Sequence, residues 1–164
     1  MSNRYTFPIQ SNAKAQILSL EIINHQENSE GTLYTGDNFR VRVSFELRDK
    51  LFHPILSLRV MNSLHQTVVV FKSNDYVKSP LEKMITPGKY TIDVDIENLF
   101  LLNDLYSLSC GFSDSREILS FKESAIQFRT EAKTGDSSIY NPLSKTTAGG
   151  AIIFHPSKWE INNV

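Results

Sequence analysis

Cysteine and tryptophan occur once each in these 164 residues, as Cys110 and Trp159, and glycine only seven times. One cysteine excludes an intrachain disulfide, so a fold of this size must be held by its core. Excess charge of either sign is missing too. The 17 basic and 18 acidic residues leave a formal net charge of −1, with no basic stripe, which argues against nucleic acid as a partner. No apolar stretch approaches the roughly 20 residues of a membrane helix. Met1 to Thr6 is polar, with no apolar segment behind it to form a signal peptide. There is no Gly-x-x-x-x-Gly-Lys-Ser/Thr loop, so the chain does not bind ATP in that manner. His25, His53, His65 and His155 stand singly, without metal-ligand spacing, so neither a metal nor any other cofactor is expected. Helical periodicity is not sustained for even three turns. With 40% hydrophobic and 21% charged residues, the remainder describes one soluble domain from a reducing compartment.

What is present is alternation. Residues 1–14 are polar and read as a linker or arm. Ala15 to Asn24 places Leu18, Leu20 and Ile22 on one face. A loop closing in Thr35-Gly36-Asp37 leads to Phe39–Leu47, where Phe39, Val41, Val43, Phe45 and Leu47 alternate strictly with polar residues. After Pro54 a third strand sets Leu56, Leu58 and Val60 inward. The turn Asn62-Ser63-Leu64-His65 leads to a fourth at Gln66 to Lys72, whose valine run leaves its facing open. Pro87-Gly88 introduces a fifth, Lys89 to Ile96, and a sixth follows at Leu105 to Phe112. Ile118 to Phe121 and Ala125 to Thr130 read as two further short strands. About eight strands of this kind predict an all-β antiparallel sandwich, immunoglobulin-like or jelly-roll. In the immunoglobulin-like order the first, second and fifth form one sheet, and the third, fourth, sixth and last the other.

Residues 132–148 form a tether without clear pattern, and Gly149 to Trp159 reads as a terminal strand, so that residues 15–164 make one domain. Ala151 to Phe154 is the apolar run of a buried strand and must dock on its own subunit or a neighbour.

Catalytic arrangements are scarce. Asp93 and Asp95 share a strand face roughly 7 Å apart, a pairing that brings glycosidases to mind, but adjacent acids on one solvated strand are commonplace and catalytic pairs flank a cleft. Cys110 lies on an inward face, where a small buried hydrophobe is the default. No catalytic residue is assigned. The surface is more informative: the outward residues of the second sheet are Ser57, Arg59, Met61, Ser107, Ser109, Gln127 and Arg129. Hydroxyls beside guanidinium and amide groups form a shallow hydrogen-bonding face of the kind that receives sugars, to which Tyr76 or Tyr140 would add an aromatic ring.

Four landmarks in order, Ala15-Gln16-Ile17, Thr35-Gly36-Asp37 before an alternating strand, Pro87-Gly88-Lys89-Tyr90, and Gly150 to Trp159, span roughly residues 13–160. Together they resemble the C-terminal polysaccharide-binding domain of the Wzt-type ATP-binding subunit of bacterial O-antigen ABC transporters. The resemblance implies a non-catalytic sandwich that recognises a completed, lipid-linked O-antigen polysaccharide. It would act in the cytoplasm at the inner face of the inner membrane, beside the transporter's ATP-binding domain and membrane permease. It also implies a homodimer with exchanged terminal strands, with Ile152 and Phe154 across the interface and Trp159 as its anchor. Two alternatives stand beside it: a protein-interaction scaffold without a sugar site, and a hydrolase using Asp93 or Asp95.

Overall fold

The strict alternation of Phe39–Leu47 is matched residue by residue in space: each odd position is buried and each even one half-exposed. That strand is the centre of the smaller sheet. In the computed structural model, which describes residues 2–24, 32–75, 79–83, 86–97, 99 and 101–131, nine strands form two sheets. The strands are β1 (Arg4–Thr6), β2 (Ala15–Asn24), β3 (Thr32–Tyr34), β4 (Phe39–Leu47), β5 (Ile55–Met61), β6 (Thr67–Lys72), β7 (Gly88–Ile96), β8 (Asp104–Ser113) and β9 (Ile118–Glu131). The first sheet runs β1-β2-β4-β7 and the second β3-β9-β8-β5-β6. Every pairing is antiparallel except β3 with β9. This is the immunoglobulin-like sandwich expected, with the expected division of strands between sheets. A 3-10 turn at Pro80–Lys83 is the only helical piece among the described residues.

Three elements differ from the sequence reading. Arg4–Thr6, within the arm, pairs with Ser19–Glu21 as edge strand β1. Thr32–Tyr34, within a loop, pairs in parallel with the end of β9. Ile118–Phe121 and Ala125–Thr130 are one strand, β9, interrupted by a bulge. A bulge in β2 between Ile17 and Ser19 also turns Ile17, not Leu18, into the core beside Leu20 and Ile22. The tether and the terminal strand lie outside the described residues.

Aromatic residues fill the core between the sheets. Phe45 packs between Tyr90, 5.6 Å away and stacked, and Phe112, 5.3 Å away. Tyr106 stacks on Phe128. Its hydroxyl donates to the Leu102 carbonyl, which also accepts from Thr130 Oγ1, so a buried polar group is fully partnered. Thr35-Gly36-Asp37 turns with Gly36 at φ 85°, the left-handed conformation glycine adopts without strain. The Thr35 N–H donates to the Glu131 carbonyl, anchoring the turn to the end of β9.

The two long sides of the sandwich are unlike. On one, β1 lies over β9. On the other, inward-facing Val69 and Phe71 of β6 and Tyr90, Ile92 and Val94 of β7 stay half-exposed although they pack on the core.

Candidate functional site

Register brings the seven outward residues of the second sheet onto one face, as the alternation predicts. Arg59 is paired with Ser109, Met61 with Ser107, and Ser107 in turn with Gln127. Arg129 lies two residues further along β9, opposite Leu105. Ser57, Arg59, Gln127 and Arg129 remain accessible there. Met61, Ser107 and Ser109 do not: they are 3%, 8% and 1% exposed, which corrects their reading as surface residues. For the two serines the cause is the β9 bulge. Ser124 folds over them, its N–H donating to Ser109 Oγ at 2.9 Å and its hydroxyl to Ser107 Oγ at 3.2 Å. Ser107 and Ser109 therefore shape the face from beneath.

The sheet itself presents an exposed aromatic ring on this face. Phe121 of β9 is 56% exposed and stands opposite Gly111 of β8. A side chain at Gly111 would meet Phe121 Cδ2 at 3.4 Å and Ser57 Oγ at 3.2 Å, so the glycine lets the ring lie low across the strand towards a hydroxyl. Beside it Arg59 Nη2 donates to Glu123 Oε1 at 3.1 Å, with both groups open to solvent. An apolar ring face, a hydroxyl and a charged donor–acceptor pair thus lie within adjacent strand positions. Outward glycine in a strand and a phenylalanine in the facing run were the available signals, but they meet only once the β8–β9 register is known. Tyr76 and Tyr140 lie outside the described residues, as do Ile152, Phe154 and Trp159.

The candidate acids of the other sheet are arranged differently. Arg42 donates to Asp93 through Nε and Nη2 at 2.8 and 2.9 Å, and Arg40 donates to Asp95 at 2.7 Å and reaches Asp93 at 3.3 Å. The hydrogen bond from Arg42 holds Asp93 below the usual carboxylate range. A carboxyl kept ionised in this way has no proton to donate at neutral pH, so the pair reads as a cross-strand ladder. Cys110 is fully buried, and desolvation pushes its thiol up to about 12, the opposite of an activated nucleophile. Among the described residues no group of His, Cys, Asp and Glu side chains could hold a metal ion.

Comparison with known proteins follows the same lines. Residues 9–142 match the family described as the Wzt C-terminal domain. Among solved structures, the crystal structure of the C-terminal domain of Wzt superposes with a TM-score of 0.59 at 9% identity, covering 86% of this chain and 83% of that one. A Bifidobacterium dentium β-glucuronidase, complexed with coumarin-3-O-glucuronide, aligns with a TM-score of 0.40 at 13% identity, over 75% of this chain and 19% of its own. At such identities the likeness to the first is one of fold. No curated protein matches the chain.

Proposed function

Because the chain belongs to the Wzt C-terminal domain family, matched over residues 9–142, we propose that it is a non-catalytic carbohydrate-binding domain that recognises a completed, lipid-linked O-antigen polysaccharide for export. The family is that of a non-catalytic domain of O-antigen ABC transporters. Sugar recognition is the step added here, and one observation carries it: the exposed Phe121 ring lying across Gly111 beside Ser57 and the Arg59–Glu123 pair. Sugars present apolar C–H faces edged by hydroxyls. An aromatic platform flanked by donors and acceptors answers both features. Arg129 and Gln127 extend the polar surface along β9. The domain would act at the cytoplasmic face of the inner membrane with the transporter's ATP-binding domain and permease. No helix among the described residues is long and apolar enough to cross a membrane.

We also propose a homodimer in which residues 149–159 of one protomer cover the half-exposed apolar margin formed by β6 and β7 of its partner. The deciding experiment for sugar recognition is a binding assay of the purified chain against the source strain's own O-polysaccharide and unrelated polysaccharides. Saturable binding to the first alone is expected. No binding to any polysaccharide would sink the proposal in favour of a protein scaffold, and release of reducing ends would favour a hydrolase.

A further inference from the structure

The bulge in β9 does more than bury two serines. Lys122 pairs with Cys110 and Ile126 with Leu108, so β9 spends four steps where β8 spends two. The excess is accommodated around Ser124, whose φ of 48° lies in the left-handed region. Here the free margin of β9 faces β1, the edge strand of the other sheet. Between them lies a cleft of about 340 Å³, lined among others by Ser2, Arg4, Tyr5, Ser124 and Gln127. Its lining combines a guanidinium, a carboxamide, a phenol and aliphatic hydroxyls. Among the described residues, the Arg4 guanidinium, the Tyr5 hydroxyl and the Gln127 amide have no protein hydrogen-bond partner. One face of the Tyr5 ring carries Lys122 Nζ, 5.5 Å from the centroid.

This cleft and the Phe121 platform share β9: Phe121 and Glu123 stand on one side of the bulge, Ser124 and Gln127 at and beyond it. From Ser57 across Gly111 to Phe121 is two strand spacings, and from β9 to β1 is about one sheet separation. The whole path is roughly 20 Å, too long for one sugar ring. We infer that the glycan is read across the strands as an extended segment of several sugar residues. One part stacks on Phe121 beside Ser57 and Arg59, and the next enters the cleft formed by Tyr5, Arg4, Ser124 and Gln127. The inference rests on the carbohydrate reading proposed above and adds the ligand's length and direction. Two weak subsites joined by one chain give an affinity that neither gives alone, because engagement of the first raises the effective concentration at the second.

The test is calorimetric titration of the full chain with fragments of the source strain's O-polysaccharide, graded from one sugar residue upwards. Affinity is expected to rise at least tenfold between about two and about four residues and then level off. Tyr5→Phe and Gln127→Ala should each lower the affinity for long fragments towards that for short ones. Equal affinity for short and long fragments, or long-fragment binding unchanged in both variants, overturns the extended path while leaving sugar recognition standing. Absence of binding at every length, intact polysaccharide included, overturns the carbohydrate reading itself.

Discussion

Phe121 is the residue on which the proposed recognition rests, and its contribution is separable from stability because its ring is largely outside the core. Phe121→Ala should weaken polysaccharide binding about tenfold or more, the effect of removing roughly 1.4 kcal/mol of contact, with little change in melting temperature. Wild-type affinity in that variant would move the site away from this face. Cys110 gives the complementary case, a residue that matters only to the folded state. Its thiol should resist a disulfide reagent until the protein is unfolded; rapid labelling of native protein would contradict its burial. Burial raises Cys110 and Tyr106 to about 12 in the folded state. Their stabilising effect is therefore complete below the unfolded values and is lost as pH rises towards 12, by up to about 1.4 kcal/mol per pH unit for each group. Asp93 and Asp114 are shifted the other way, Asp93 chiefly by the hydrogen bond from Arg42 and Asp114 chiefly by the N–H of Arg116. Their effect is present above the ordinary carboxylate range and is lost as pH falls through it. Denaturation followed against pH should show a plateau between these limits, and Cys110→Ala should flatten the alkaline slope. An unchanged slope would remove Cys110 from the account.

Among the elements, β9 shows what the sequence carries and what it does not. Alternation made the facing of β4, β5 and β8 legible, because each keeps period 2 and, Asp104 at the start of β8 apart, every inward position is apolar. It could not join Ile118–Phe121 to Ala125–Thr130, because Lys122-Glu123-Ser124 breaks the pattern and the bulge exists only against β8. The burial of Ser107 and Ser109 was hidden for the same reason, since Ser124 covers them only once the register is set. At three residues each, β1 and β3 are too short to show any period; their strand character comes from the partners they meet. The bulge itself has a parity rule. Two extra residues leave Lys122 and Ile126 each on the inward face with Cys110 and Leu108, whereas one would rotate half the strand. Deleting Ser124 alone should therefore expose either Ile126 and Phe128 or the Leu119 side of the strand, and lower stability by several kcal/mol in chemical denaturation. Deleting Ser124 and Ala125 together preserves the facing and should be tolerated far better. Equal losses in the two variants would mean that parity is not what the bulge protects.

For the whole molecule the question is what covers β6 and β7. The nine residues of β7 pair on one side with β4, and no described strand lies on the other. An uncovered edge of that length invites pairing with another chain. Beneath it, Ile92, Val94, Val69 and Phe71 are only half-buried. Glu131, where β9 ends, lies towards the opposite margin of the sandwich. A terminal segment starting at residue 149 must therefore cross the domain or pass to a neighbour. The tether of about 17 residues can span roughly 55–60 Å when extended, which allows either route. Intermolecular docking has the additional merit of closing both protomers with one operation, since in a two-fold dimer each tail covers the other's edge. In the proposed exchange, Ile152 and Phe154 would supply the missing apolar cover, and Trp159 the anchor. Removing residues 149–164 should convert the protein to a monomer, or to aggregates that bind a hydrophobic dye through the bared margin, as read by light scattering and dye fluorescence. Adding a charge by Val94→Lys in the full chain should weaken the dimer in the same direction without touching the Phe121 face, so polysaccharide binding per protomer should survive. A dimer that persists after the deletion would place assembly on another surface and leave the long edge of β7 to be covered within its own subunit.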